Sequence, residues 1–256
     1  MLHICQIPVL TDNYIYLCRD AREGCGFVVD PALAEPVLEK AAELGWSIDY
    51  ILNTHHHGDH VGGNLAIQAA TECQIVGPAA DAPRIPGIQR QVGQGDRVGI
   101  GDLQAQVFDV PGHTRGHIAY YFEEDKALFC GDTLFAMGCG RLFEGTPAQM
   151  WQSLSQFIGL PDETRVFCAH EYTQANGRFA LSVEPQNSAL QTRMRQVNAA
   201  RAQGKPTVPS TIGLERATNP FLRPDSPDLQ ATIGMDGTDL VDVFAKTRQM
   251  KDTFTG

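Results

Sequence analysis

The chain has 256 residues, 43% of them hydrophobic, 8% aromatic and 20% charged, a composition that excludes disordered, fibrous and coiled-coil proteins. Its 20 Lys and Arg stand against 30 Asp and Glu, and the formal charge of −10 has the wrong sign for a phosphate backbone, so nucleic acid is not an expected partner. The length accommodates one large α/β domain, or a domain of about 150 to 180 residues with a smaller one beside it.

In chain order, Met1 to Tyr14 has no Lys or Arg ahead of an apolar stretch, and no uncharged run is long and apolar enough to cross a bilayer. A cytoplasmic protein without membrane contact is expected. Short β-rich runs follow at Tyr14 to Cys18, Gly26 to Val29 and Tyr50 to Asn53, separated by turn residues and one helical stretch, Glu35 to Leu44. A helix is expected over Leu65 to Thr71, then strands at Gln74 to Val76, Gln104 to Val110, Ile118 to Phe122, Ala127 to Cys130 and Arg165 to Cys168. So many short strands point to two packed mixed sheets rather than one. After His170 the character changes to helical spacing over Ser188 to Gln203 and Thr238 to Met250, around a proline-rich stretch from Lys205 to Pro227. A domain boundary is therefore expected near residue 172. Seven scattered cysteines contain no C-x-x-C pair and read as reduced, buried, small hydrophobes.

The most informative segment is Thr54-His55-His56-His57-Gly58-Asp59-His60, which follows a strand and precedes a Gly62-Gly63 helix entry. In an extended segment alternate side chains share a face, so His55 and His57 can grip one cation while His56 points away. Asp59 and His60, adjacent on the following turn, are better placed for a second ion. Further donors close other strands: His113 and His117 in Pro111-Gly112-His113-Thr114-Arg115-Gly116-His117, Asp132 in Cys130-Gly131-Asp132-Thr133, and His170 in Ala169-His170-Glu171. Strand ends and the loops after them build sites in α/β architectures. This donor set exceeds the four ligands of a closed structural zinc site and fits an open, catalytic one. His3 and His56 read as structural, and His117 as a residue that orients a neighbour.

The order H-x-H-x-D-H, a later His, a later Asp and a final His resembles the metallo-β-lactamase fold superfamily over residues 3 to 172. Within it, Thr11-Asp12-Asn13-Tyr14, Gly131-Asp132-Thr133-Leu134-Phe135, Gly138-Cys139-Gly140-Arg141 and His170-Glu171-Tyr172 resemble the glyoxalase II family, the hydroxyacylglutathione hydrolases. The ending Arg248-Gln249-Met250-Lys251-Asp252 is similar to the R-x-x-K-D that closes that family's C-terminal domain. The resemblance implies a four-layer αββα sandwich of two mixed sheets over residues 1–172 and a small α-helical substrate-binding domain over 173–256. It puts His55, His57 and His113 on one divalent metal, Asp59, His60 and His170 on a second, and Asp132 between them as a bridge. Zinc is the expected metal, with iron or manganese accepted by the same donors. Cys130 lies two residues before the bridging position and reads as a buried strand residue.

The same resemblance places Arg141, Phe143 and Tyr172 beside the substrate, and Arg248 and Lys251 on the glycine carboxylate of glutathione. Phe143 stands where some members have Tyr, and Arg141 where others have Lys. The implied reaction is hydrolysis of S-D-lactoylglutathione to glutathione and D-lactate by a metal-bound hydroxide, with Asp59 and Asp132 as catalytic carboxylates. A thioester suits a site without an obvious general acid, because an alkyl thiolate with a pKa of about 8.5 leaves unprotonated. The alternative is a single-iron enzyme like the glutathione persulfide dioxygenases; the second ligand set of Asp59, His60 and His170 weighs against it. With no heptad seam, a monomer is expected.

Overall fold

Leu2–Val9 (β1) and Asn13–Asp20 (β2) pair antiparallel in a register that sets Leu2 opposite Asp20 and Val9 opposite Asn13. Pro8 is tolerated because β1 is an edge strand with no neighbour on its other side. This computed structural model describes all 256 residues, Met1–Gly256, in two compact units. One comprises Met1–Asp109 with Arg115–Gly131, the other Val110–Thr114 with Asp132–Gly256.

In the first unit Gly26–Val29 (β3) pairs antiparallel with β2. The chain then crosses over through Glu35–Leu44 (α1) to Tyr50–Leu52 (β4), which lies parallel to β3. Gly45, at φ 64, closes α1 in the left-handed conformation that glycine adopts without cost. Two helices, Gly58–Val61 (α2) and Asn64–Thr71 (α3), lead to Gln74–Pro78 (β5), parallel to β4, and Arg90–Val92 (β6) extends the same sheet. The strands Arg97–Ile100 (β7), Leu103–Asp109 (β8), Ile118–Phe122 (β9) and Ala127–Gly131 (β10) form an antiparallel run. All five residues of β9 and of β10 are buried, which explains why these segments read as unbroken apolar runs. Phe27 stacks on Phe122 at 5.4 Å and meets Phe129 edge-on at 6.4 Å, while Ile15, Leu17, Val28, Ile51 and Ile75 fill the core behind the parallel strands.

In the second unit, the first paired strands are a hairpin, Leu134–Phe135 (β11) against Gly138–Cys139 (β12). Pro147–Ile158 (α4) follows, started by a capping box in which Thr146 accepts from the Gln149 amide and Gln149 reaches back to Thr146. Arg165–Cys168 (β13) pairs with Ser210–Thr211 (β14). The remainder is helical: Thr173–Val183 (α5), Ser188–Arg201 (α6), Ile212–Thr218 (α7), Pro227–Ile233 (α8) and Leu240–Thr253 (α9). Phe221 lies between Phe179 at 5.9 Å and Phe244 at 5.8 Å, an aromatic seam joining α5, the 220–222 turn and α9.

The expected strands and the expected helices at 35–44, 65–71, 188–203 and 238–250 are present within a few residues. Beyond them the structure has β1, β6, β7, the two-residue strands β11, β12 and β14, and the short helices α2, α7 and α8. It also has two longer helices, α4 and α5, that hydrophobic spacing did not reveal. The turn expected at Asp59-His60 is the helical turn α2. Five of the seven cysteines are buried, Cys130 among them. No helix is long and apolar enough to cross a membrane.

Candidate metal and substrate sites

The polar segment after β4 is held by residues buried beneath it. Asp30, directly after β3, is 3% exposed and adopts φ 49, a left-handed backbone that a non-glycine residue keeps only when its surroundings enforce it. Its carboxylate accepts the Thr54 amide at 2.8 Å, the Thr54 hydroxyl at 2.6 Å and the His60 Nδ1–H at 3.0 Å. The single Thr54 hydroxyl proton is thereby committed to Asp30, so Thr54 Oγ1 must accept from His55 Nδ1 at 3.1 Å. His55 then carries its lone pair on Nε2, 3.0 Å from His57 Nδ1. His60 likewise carries its lone pair on Nε2. A carboxylate behind an imidazole, fixing its tautomer, is how metal-ligating histidines are usually oriented.

Asp59 follows the same pattern. Asn13 Nδ2 donates to its Oδ2 at 2.9 Å and more weakly to its carbonyl at 3.4 Å, so the Thr11-Asp12-Asn13-Tyr14 turn orients this carboxylate. His56 points away from His55 and His57, as the extended alternation requires, and bonds Asp81 at 2.8 Å and Arg84 at 3.0 Å. His117 is buried, stacks on His55 at 4.5 Å and donates from Nδ1 to the Ile118 carbonyl at 3.0 Å, a bond that holds its ring in place. Gly131, at φ 47, permits the close approach here: a Cβ would stand 2.3 Å from Thr54 Oγ1 and 2.9 Å from the His117 ring.

In the second unit Asp132 presents one oxygen to each of two histidines, Oδ1 to His170 Nε2 at 3.3 Å and Oδ2 to His113 Nε2 at 3.4 Å. His113 Nδ1 donates to the Arg141 carbonyl at 2.8 Å, which leaves Nε2 as its lone-pair nitrogen. A carboxylate divided in this way between two imidazole nitrogens has the donor pattern of a bridging metal ligand. Imidazole and carboxylate together fit zinc, iron or manganese. The residues present therefore fit divalent metal.

Around these candidate ligands lie aromatic rings. Tyr172 stacks parallel on His170 at 4.8 Å, Phe135 meets both edge-on, and Phe143, 61% exposed, stands edge-on to His113 at 5.2 Å. A cavity of about 220 Å³ is lined by Phe135, Cys139, Arg141, Tyr172, Asn176, Arg248 and Lys251, with Ala175. Four of the five residues expected at the substrate thus share one cavity, and Phe143 is not among its walls.

The three cations of this cavity differ in environment. Arg248 is 6% exposed and donates from NH1 to the Cys139 carbonyl at 2.8 Å and from NH2 to Asp252 at 3.0 Å. Its guanidinium lies 5.0 Å over the Phe221 ring, and its buried Nε has no hydrogen-bond partner. Arg141 is exposed and reaches Asp252 at 3.4 Å. Lys251 is half-buried near Phe179 and Phe254; burial first, then the positive charges of Arg248 and Arg178, hold its ammonium below the usual lysine value. Cys139, enclosed beside Arg248, has its thiol pushed up to about 11 by burial.

Asp30, Asn13 and Thr54 did not emerge from the sequence as site residues. The signal for Asp30 was there: it closes a strand, as His113, Asp132 and His170 do. Phe135 and Cys139 lie in recognisable motifs that assign them no role, and nothing in the sequence marks Asn176.

Comparison with known proteins accounts for these features. Residues 10–170 match the metallo-beta-lactamase superfamily model and residues 171–254 match the model of the hydroxyacylglutathione hydrolase C-terminus. The chain is 57% identical to a hydroxyacylglutathione hydrolase of Methylococcus capsulatus over 100% of both chains, and 59% identical to one of Rhodospirillum rubrum over 99% of both. Among solved structures, ETHE1 from Myxococcus xanthus is similar at 25% identity and a TM-score of 0.71, covering 98% of this chain and 90% of its own. The TTHA1623 protein in a di-iron-bound form is similar at 26% identity and a TM-score of 0.63, covering 86% of this chain and 100% of its own. The expected fold class holds, with two mixed sheets, their helices and a helical C-terminal region. From its fold, its His and Asp donors and its full-length likeness to these relatives, the chain belongs to the hydroxyacylglutathione hydrolase family of the metallo-β-lactamase superfamily.

Proposed function

We propose that the protein hydrolyses the thioester of S-D-lactoylglutathione, and of related S-2-hydroxyacylglutathiones, to glutathione and the free acid, the second step of methylglyoxal detoxification. The observation that carries this reading is a set of histidine tautomers fixed to aim lone pairs at cations, in a chain that also builds a cavity lined by three basic side chains. In this reading His55, His57 and His113 would hold one divalent ion, Asp59, His60 and His170 would hold a second, and Asp132 would serve both. Zinc is the metal proposed. When bound, the two ions supply an activated water and an electrophile for the carbonyl oxygen.

The chain's own residues do the rest. Asp59, held by Asn13, orients the attacking water. Tyr172, stacked on His170, and Phe143, beside His113, flank the thioester. Arg141, Arg248 and Lys251 receive the carboxylates of glutathione, local cations that a chain of net charge −10 needs in order to bind an anionic tripeptide. No side chain has to protonate the departing thiolate. Residues 1–172 act as the catalytic part and 173–256 as the substrate-binding part, a division supported by family models that meet at residues 170 and 171. We place the protein in the cytoplasm as a monomer, with neither nucleic acid nor membrane as partner.

The test is turnover of S-D-lactoylglutathione by the purified protein, followed as released thiol. Oxygen consumption with glutathione persulfide, and no thioester hydrolysis, would replace this reading with the single-iron dioxygenase-like alternative.

A further inference from the structure

The hairpin β11–β12 has only four paired residues, far too few to be stable by itself, yet it carries Phe135 and Cys139 into the cavity wall. Its turn, Ala136-Met137, puts Met137 at φ 56, a conformation a non-glycine residue keeps only under constraint. The constraint comes from side chains far along the sequence. Met137 N–H donates to Glu215 Oε2 at 2.8 Å. Asn219 Nδ2 faces the Phe135 carbonyl at 3.1 Å, the Gly138 carbonyl at 2.9 Å and Glu215 Oε2 at 2.9 Å, its two protons shared among the three acceptors. Asn176 Nδ2 adds a bond to the Ala136 carbonyl at 3.2 Å, and it packs so closely that a Cβ on Gly138 would stand 2.4 Å from it.

Glu215 and Asn219 are fully buried, and neither lines the cavity. The carboxylate of Glu215 is compensated by Arg193 at 2.6 Å, itself 6% exposed and bonded to Ser210 and Thr218. A buried ion pair adds little net stability over apolar residues of the same size, but losing one partner strands the other's charge, which ties Glu215 to its place against Arg193. Here the geometry it fixes is that of the Phe135 wall and of the Cys139 carbonyl that receives Arg248.

We propose that Glu215 and Asn219 are positioning residues for substrate binding: they lock the 134–139 hairpin so that Phe135 and the Arg248 guanidinium stand ready for the glutathione moiety. This rests on the thioester-hydrolase reading above. Neither residue touches the ligand, so their loss acts on KM and leaves the metal ligands in place.

The experiment compares wild type with Asn219→Ser, whose shorter side chain cannot span both hairpin carbonyls. It includes Glu215→Gln, which loses an acceptor on one of its two sides. Steady-state kinetics with S-D-lactoylglutathione and inhibition by free glutathione are read beside circular dichroism and metal content. The expected result is a KM and a glutathione inhibition constant raised about 5- to 30-fold at a kcat within about 3-fold of wild type. A folded, metal-replete variant with unchanged KM overturns the proposal and leaves the hydrolase reading standing; a wild type without turnover overturns both. Hydrogen exchange on wild type supplies a readout that needs no variant. Amides of residues 134–139 should be protected without ligand, and protection that arises only on adding glutathione would contradict a pre-set hairpin.

Discussion

Lys251 is the cavity cation whose charge the structure makes most conditional. It lies in the last turn of α9, half-buried, with Nζ 3.5 Å from the Ala175 carbonyl and flanked by two phenylalanine rings. Burial and the neighbouring arginine charges lower its pKa from 10.5, so the folded protein binds this proton less tightly than the unfolded chain does. Below the folded pKa the ammonium is present to meet a carboxylate; as pH rises through that value it is lost, at a lower pH than for an exposed lysine. Lys251→Ala removes one charge-assisted hydrogen bond, worth about 1.5 to 3 kcal/mol when enclosed. Screening at a half-exposed site reduces this to about 1 to 2 kcal/mol, a loss of about 5- to 30-fold in kcat/KM carried by KM. The assay is kcat and KM for S-D-lactoylglutathione from pH 7 to alkaline pH in wild type, Lys251→Ala and Lys251→Arg. Wild-type KM should climb with pH, Lys251→Ala should start high and stay flat, and Lys251→Arg should start low and stay flat. The same alkaline climb in Lys251→Arg, or a kcat loss with unchanged KM in Lys251→Ala, would refute a binding role for this ammonium.

Asp30→Asn should weaken metal binding about 10- to 100-fold, because an amide cannot accept from Thr54 N, Thr54 Oγ1 and His60 Nδ1 together; chelator competition measures it, and unchanged affinity would refute the orienting role. Phe27→Ala opens a hole between Phe122 and Phe129 and should cost about 3 to 5 kcal/mol in denaturant unfolding, where a loss below about 1 would mean that the rings close over it. The thiols of Cys139 and Cys168, pushed up to about 11 and about 12 by burial, should resist iodoacetamide at pH 8 in the native protein and react once it is denatured. Because these folded pKa values are raised above the unfolded 9.0, the stability they represent is present below pH 9 and is lost as pH climbs towards 12.

The candidate ligands were legible because they are local. His55, His57, Asp59 and His60 sit within six residues, and His113, Asp132 and His170 each follow a strand legible as an alternating or apolar segment. The residues that orient them are not local. Asp30 reaches His60 across 30 positions and Asn13 reaches Asp59 across 46, separations at which no pattern in one sequence announces contact. Helix α4 is a different omission. Its start, Thr146-Pro147-Ala148-Gln149, is a capping box with Pro at the first helical position, a signal that lies outside hydrophobic spacing. Helix α5 carries no such signal, since Tyr172 provides no side-chain cap and Gly177 interrupts its interior. Packing of Gly177 against Met194 of α6 explains that glycine, and only the tertiary structure shows it.

In the proposed mechanism two divalent ions, with Asp132 shared between them, serve thioester hydrolysis. Elemental analysis and S-D-lactoylglutathione turnover on one purified sample, for wild type and Asp132→Ala, decide it. The expected result is about two divalent ions per chain with active hydrolysis in wild type, and loss of most activity together with metal in Asp132→Ala. A wild type fully active with one firmly bound ion per chain, or an Asp132→Ala protein that keeps both metal and turnover, would contradict it.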